Sequence, residues 1–148
     1  MIVIVEGGPG DMIQSIPVEH LLLSVPQMDD EHRALISQAN ECIAAVDANA
    51  SHAEFQVRLT QLIAAFQAHF DSEEVLMRSS GFPGLTPHAE EHHKLIEQMK
   101  GLRDDVGRGD IQICGALALF VRLWTEKHIT GQDLSFAQFL GAGSVRRP

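Results

Sequence analysis

Hydrophobic residues recur every three or four positions along four stretches of the chain, a spacing typical of helices with one buried face. The stretches span about residues 29–47, 51–80, 86–106 and 110–133. No alternating strand pattern competes with this interpretation, and the short connections turn each helix back on the one before it. The sequence therefore predicts an all-α fold, an up-down-up-down antiparallel four-helix bundle over residues 28–136, with an irregular N-terminal arm over 1–27 and a C-terminal tail over 137–148.

Small polar residues, prolines and glycines predict where these helices begin and end. Three prolines argue against a long helix in the arm. The predicted N-caps are Asp29 or Asp30 in the first helix, Ser51 with a capping box to Glu54 in the second, Thr86 before Pro87 in the third and Asp110 in the fourth. Gly131 predicts a distortion late in the fourth helix, and the Gly141–Pro148 segment is expected to be loose.

Seven metal-binding side chains lie on the same helix faces as the apolar residues. They are His32, His69, Glu73, His88, His92, His128 and Asp133. Two pairs among them, His69 with Glu73 and His88 with His92, are four residues apart, which puts each pair on one helix face about 6 Å apart along the axis. Burying such groups without partners would cost several kcal/mol each, and bound cations offset this cost. Seven ligands are too many for one metal and about right for two.

The donor types narrow the choice of metal. Imidazole and carboxylate suit iron, manganese or zinc better than copper(I) or an iron–sulfur cluster. The two cysteines are far apart and form no CxxC pair, so a thiolate site is not predicted.

Composition and charge exclude other classes of function. The chain has 148 residues, of which 45% are hydrophobic, so it can bury the core of one ordinary domain. Its net charge of −9, with no stripe of Lys and Arg, argues against binding nucleic acid. No apolar run is long enough to cross a membrane, and the N-terminus has no signal-peptide pattern. A cytoplasmic protein without a membrane partner is expected.

The same residues resemble the hemerythrin family, and in particular its single-domain bacterial members. The matching motifs are Asp30-Glu31-His32 followed by Leu35, His69-Phe70-x-x-Glu73-Glu74-x-x-Met77, His88-x-x-x-His92 and Trp124-x-x-x-His128-Ile129-x-x-x-Asp133, which together cover about residues 24–136. The resemblance implies two iron ions, Fe²⁺ or Fe³⁺, joined by a bridging oxo or hydroxo group. It further implies that His88, His92 and His128 bind one iron, that His32 and His69 bind the other, and that Glu73 and Asp133 bridge the two.

Counting donors on this assignment leaves one position open. The first iron receives three imidazoles, two carboxylate oxygens and the bridging oxygen, and is full. The second receives two imidazoles and the same bridges, and can take an exogenous ligand. The resemblance implies that this ligand is dioxygen, or a small anion such as azide in the ferric state. The apolar residues expected to keep water from the bound oxygen are Leu35, Phe66, Phe70, Met77 and Trp124.

Thr125 departs from the family, which usually has a bulky aliphatic residue three positions before the last histidine. Its hydroxyl either lines the oxygen pocket or bonds back to the Val121 carbonyl of its own helix. Other polar residues are expected to be peripheral. His20, His52 and His93 are interpreted as surface or structural residues, and Glu31, Glu74, Glu90 and Glu91 as solvated or capping charges, with Glu74 also a candidate to support a ligand.

Reversible oxygen binding, for storage, transport or delivery, is the expected function, and an oxygen carrier is expected rather than an enzyme. Diiron redox catalysis, as a peroxidase or in reduction of nitric oxide or oxygen, and oxygen or iron sensing stay open as alternatives. A ferritin-like site is disfavoured because only Glu90-x-x-His93 supplies the required Glu-x-x-His unit, and two are needed. The sequence identifies no partner protein and no oligomeric state.

Overall fold

The structure is a computed structural model that describes residues 16–48, 50–108 and 113–145, and within these ranges every regular element is helical. The four main helices are α1 (Pro26–Asp47), α2 (His52–Ser80), α3 (Leu85–Gly107) and α4 (Ile113–His128); a π-helical turn (Ile129–Asp133) joins α4 to α5 (Leu134–Val145), and a short 3-10 helix (Val18–Leu21) precedes α1. Helix α1 packs on α2, α2 on α3, and α4 on both α1 and α3. The predicted helical bundle is confirmed.

Helix α1 begins earlier than its predicted caps. Neither Asp29 nor Asp30 is the N-cap, because the helix starts at Pro26, whose restricted φ suits a first helical position. Asp29 instead reaches back along the chain, and its Oδ1 accepts a hydrogen bond from the Leu23 amide at 2.7 Å. The prediction for α2 is confirmed, since the Ser51 hydroxyl accepts a hydrogen bond from the amide three residues later at 3.1 Å.

The start of α3 was also predicted too late. This helix begins at Leu85, so that Thr86 and Pro87 lie inside its first turn, where the missing N–H of proline costs no helical hydrogen bond. The break before it is as expected: Gly81 ends α2 with a φ of 72°, a conformation that glycine adopts without strain. The predicted cap of α4, Asp110, lies outside the described residues.

The chain remains helical beyond the predicted end of the bundle. The distortion expected at Gly131 is present as the π-helical turn, which holds one extra residue per turn. The prediction of a loose tail is wrong for the part described, because α5 runs on to Val145. Phe136 is fully buried, and Phe139 and Leu140 pack partly buried beside it, so tertiary packing outweighs the low helix propensity of the tail glycines.

Two apolar clusters divide the interior. The larger cluster contains residues from all four main helices and includes Leu35 and Phe66. The smaller cluster is centred on Met28, Met77 and Phe136 and closes one end. The seven predicted ligands lie near the junction of the two clusters, where all of them are buried.

In the described part of the chain, no helix has both the length and the apolar character needed to cross a membrane.

Candidate metal centre

All seven predicted ligands come together at one buried place, and each side chain is at most 6% exposed. The ligand atoms form two sets, and within each set they lie no more than 4.8 Å from one another. The three-histidine group consists of His88, His92 and His128 with Glu73 and Asp133, and the two-histidine group consists of His32 and His69 with the same two carboxylates. Helix periodicity brings the first six residues inward, and the π-helical turn carries Asp133 to the same level.

In the three-histidine group, the imidazole nitrogens crowd around one oxygen from each carboxylate. His88 Nε2 lies 2.7 Å from Glu73 Oε1 and 3.0 Å from Asp133 Oδ1, and His128 Nε2 lies 3.0 Å from the same Asp133 oxygen. His92 Nε2 and His128 Nε2 face each other at 3.0 Å. Nitrogens that converge in this way are oriented as ligands of a common cation.

In the two-histidine group, the other oxygen of each carboxylate is used. His69 Nε2 lies 3.1 Å from Glu73 Oε2, and His32 Nε2 lies 3.1 Å from Asp133 Oδ2. Each carboxylate therefore turns one oxygen to each group, which is the arrangement a bridging ligand requires.

The polar atoms at the centre fit a bound cation better than they fit each other. Both Glu73 oxygens, both Asp133 oxygens and the Nε2 atoms of His32 and His88 are buried without a hydrogen bond to the described residues, although they lie close together. Their distances are short, but their angles are not those of hydrogen bonds. Unpaired buried carboxylates are costly, and divalent or trivalent cations would satisfy them. The donor set fits iron, manganese or zinc.

Without metal, protons take the place of the cations. Burial alone would lower the pKa of His32 and His88, but the carboxylates of Asp133 and Glu73, which lie close to both rings, stabilise the charged imidazoles and raise the pKa of both to about 9. Burial would likewise raise the pKa of both carboxyls, and the Glu73 charge would add to this at Asp133. The facing imidazoles outweigh these effects, holding the Glu73 pKa well below its usual range and the Asp133 pKa at about 2.

Two further carboxylates orient the ligands from outside. Glu31 Oε1 lies 3.0 Å from His69 Nδ1, and its other oxygen accepts a hydrogen bond from the Ser72 hydroxyl at 2.9 Å. Glu74 Oε2 lies 3.0 Å from His92 Nδ1. Such pairs hold the opposite ring nitrogen toward the metal position. The interpretation of Glu31 as a solvated charge is wrong, and its place in the motif beside His32 was the signal that could have identified it.

Aromatic rings cover the three-histidine group. Phe70 stacks on His92 with ring centroids 3.7 Å apart and planes 4° from parallel. Trp124 stacks on His128 at 4.4 Å and 12°. Phe66 meets Trp124 edge to face at 6.0 Å. Among the five apolar residues predicted to shield the site, Phe70 and Trp124 stack on ligand rings, Phe66 packs on both of them, Leu35 lies in the larger cluster and Met77 in the smaller one.

Thr125 is buried, and its hydroxyl donates a hydrogen bond to the Val121 carbonyl at 2.7 Å. Of the two alternatives for this residue, the structure therefore has the bond within the helix. Among the histidines expected to be peripheral, His93 is exposed and His52 half-buried, as predicted, and the side chain of His20 lies outside what the structure describes.

Comparisons with known proteins identify the family to which the chain is similar. Residues 23–140 match the model of the hemerythrin HHE cation binding domain family. The hemerythrin-like protein of Naegleria gruberi is 31% identical over 110 residues, which are 74% of this chain and 80% of that protein. The bacteriohemerythrin of Ralstonia nicotianae is 27% identical over 122 residues, 82% of this chain and 85% of that protein. The myohemerythrin of Sipunculus nudus is 25% identical over 109 residues, 74% and 79% of the two chains.

Proposed function

The chain belongs to the hemerythrin family, whose members bind oxygen at a diiron site, and on this premise we propose that it binds dioxygen reversibly at a carboxylate-bridged pair of irons. His88, His92 and His128 would hold one iron, and His32 and His69 the other. Glu73 and Asp133 would bridge them.

One observation carries the proposal: each of the two central carboxylates turns one oxygen toward each group of histidines. The three-histidine group then offers five protein donors and the two-histidine group four. With an oxo or hydroxo bridge the totals would become six and five, so the open position would be on the side of His32 and His69. A small anion such as azide would take this position in the ferric state.

The irons, when bound, would supply the two electrons that dioxygen accepts and returns. The protein's contribution is to hold the ligands and exclude water. Glu31 and Glu74 fix the rings of His69 and His92 so that Nε2 faces inward. Side chains of the larger cluster, such as Leu35 and Phe66, keep water away from the site. Excluding water would slow the loss of bound oxygen as superoxide or peroxide. Thr125 does not oppose this, because its hydroxyl proton is engaged by Val121.

The test combines a metal count with an optical spectrum. Protein produced with ample iron is analysed for metal, reduced under argon, exposed to air and flushed again with argon. We expect about two irons per chain, a visible band that appears in air and its loss on flushing; azide should give a distinct spectrum with the ferric form.

One metal per chain, or zinc from iron-replete cells, would contradict the proposal. Steady consumption of oxygen in the presence of a reductant, with no recoverable oxygenated form, would favour the redox-enzyme alternative instead.

A further inference from the structure

A groove of about 390 Å³ opens at the surface beside the three-histidine group. Two of the residues that line it are His128, a candidate metal ligand, and Trp124, whose ring stacks on the His128 ring. The groove also includes Gly131, and a side-chain carbon added there would meet nothing within 4 Å. A molecule bound in this groove would therefore lie close to the candidate metal centre without entering the bundle. Only the indole and imidazole rings would separate the two.

The charged residues around the groove make it less repulsive to anionic molecules than the rest of the surface. Glu91 lines it, but its carboxylate lies 3.9 Å from the ammonium of Lys94. Lys127 also lines it and has no ion pair with the described residues. The chain as a whole carries a net charge of −9, so it repels anions at long range. An exposed, unpaired lysine at the groove makes this place less repulsive to an anion than the rest of the surface.

We propose that this groove is an electron-entry port, through which an anionic one-electron donor reduces the centre by way of Trp124 and His128. The inference rests on the proposed diiron function. In each step the donor loses one electron and one ferric ion gains it, no covalent bond forms or breaks, and two donors return the pair to the ferrous state that binds oxygen. The port lies on the side of the saturated three-histidine group, so a donor there does not occupy the open position. Stacked rings in contact favour this path, because electron tunnelling weakens steeply with distance.

Charge reversal at the port gives the first test. The rate of reduction of the ferric protein is measured at low salt with an anionic donor, dithionite, and a cationic donor, hexaammineruthenium(II). Lys127→Glu should slow reduction by dithionite about fivefold and speed reduction by the cation, and both effects should shrink at high salt. Lys100→Glu, the same charge change on the surface of α3, is the matched control and should alter either rate less than twofold.

Removing the ring gives the second test. Trp124→Leu should slow reduction by both donors at least tenfold per bound iron, regardless of their charge. Trp124 is also the only tryptophan in the chain, so its emission reports the contact directly. Loading the wild-type protein with iron should quench this emission strongly, because the indole lies against a ligand ring.

Equal effects of Lys127→Glu and Lys100→Glu, or unchanged reduction per iron in Trp124→Leu, would overturn the port while leaving the diiron proposal intact. A wild-type chain that holds no iron pair would overturn the proposed function, and the port with it. Counting iron in every variant distinguishes these two failures.

Discussion

The two groups of ligands share Glu73 and Asp133 but differ in what surrounds them. In the three-histidine group, Phe70 and Trp124 lie flat against two of the imidazoles. In the two-histidine group, the two imidazoles meet each other edge to face at 4.7 Å, and no aromatic ring within the described residues stacks flat on either. The first group is packed on its ring faces and contains five protein ligands. The second contains four, and on the proposed function we expect the exchangeable ligand to bind there.

The largest effect should come from the residues that the groups share. Glu73→Gln keeps the side-chain volume but removes the charge that serves both groups, so iron content should fall close to zero. His32→Ala affects only the two-histidine group, and about one iron should remain. Metal analysis of the purified variants checks this, with exposed Glu97→Gln as the control. Equal iron retention in the Glu73 and His32 variants would contradict the division into two groups.

The next effect is on pH dependence, because protons and metal ions compete for the same imidazole nitrogens. In the metal-free chain the pKa of His32 and of His88 is about 9, against 6.5 for a free histidine in the unfolded chain. The folded state thus binds these protons more tightly, and the resulting stability, no more than roughly 3 kcal/mol for each, is complete below pH 6.5 and is lost as the pH rises to 9. Metal binding needs neutral imidazole, so iron affinity should rise over the same range.

Thermal unfolding of chelator-treated protein and metal titrations at several pH values measure the two trends. We expect opposite slopes between pH 6.5 and 9. Either His32→Asn or His88→Asn should make the stability of the metal-free protein depend less on pH. Each variant removes one histidine with a raised pKa, and the two histidines bind protons alike although they belong to different ligand groups. His93→Asn, which removes an exposed histidine, is the control. Metal-free protein that grows more stable toward pH 9 would refute the prediction.

A smaller effect should separate the groups through their outer carboxylates. Glu31 supports a ligand of the two-histidine group and Glu74 a ligand of the three-histidine group. Replacing either glutamate by glutamine weakens the hydrogen bond to the ring, and we expect metal affinity to fall about 10- to 100-fold in the group concerned. Stepwise calorimetric titration with ferrous iron under argon resolves the two binding events. The control variant Glu90→Gln, at an exposed residue, should change neither binding event. If the Glu31 and Glu74 variants each weakened both binding events equally, the two carboxylates would not act on separate groups.

The ligands and the supporting carboxylate of Glu74 could be predicted from the sequence, but the support that Glu31 gives could not. Helical periodicity places His69 with Glu73, and His88 with His92, on one buried face each, and the structure brings them together. Glu31 reaches a histidine 38 residues away on another helix, and no local pattern contains that pairing. Its charge alone suggested a solvated residue.

The predictions for the start of α1 and for the C-terminal tail were wrong for a related reason, because contacts between distant residues are not visible in a local pattern. Asp29 has the composition of an N-cap, but its carboxylate bonds to the Leu23 amide before the helix, and Pro26 starts the helix. The tail contains glycines that predict disorder, yet Phe136 is buried against Met28 and Met77, and this packing sustains α5. In both cases a tertiary contact decided what local propensity left open.

The smallest effect is expected at Thr125, which lies three residues before His128 but bonds to its own helix. Thr125→Val keeps the shape and removes only this hydroxyl, so it should change stability by about 1 kcal/mol at most and leave the lifetime of the oxygenated form unchanged. Thr130→Val is the matched control, because Thr130 makes the same 2.7 Å bond to a carbonyl four residues earlier on an exposed face. Decay of the optical band in air-equilibrated buffer gives the lifetime. If Thr125→Val prolonged it and Thr130→Val did not, the hydroxyl would have to reach the bound oxygen, and the wall of the two-histidine group would be polar rather than dry.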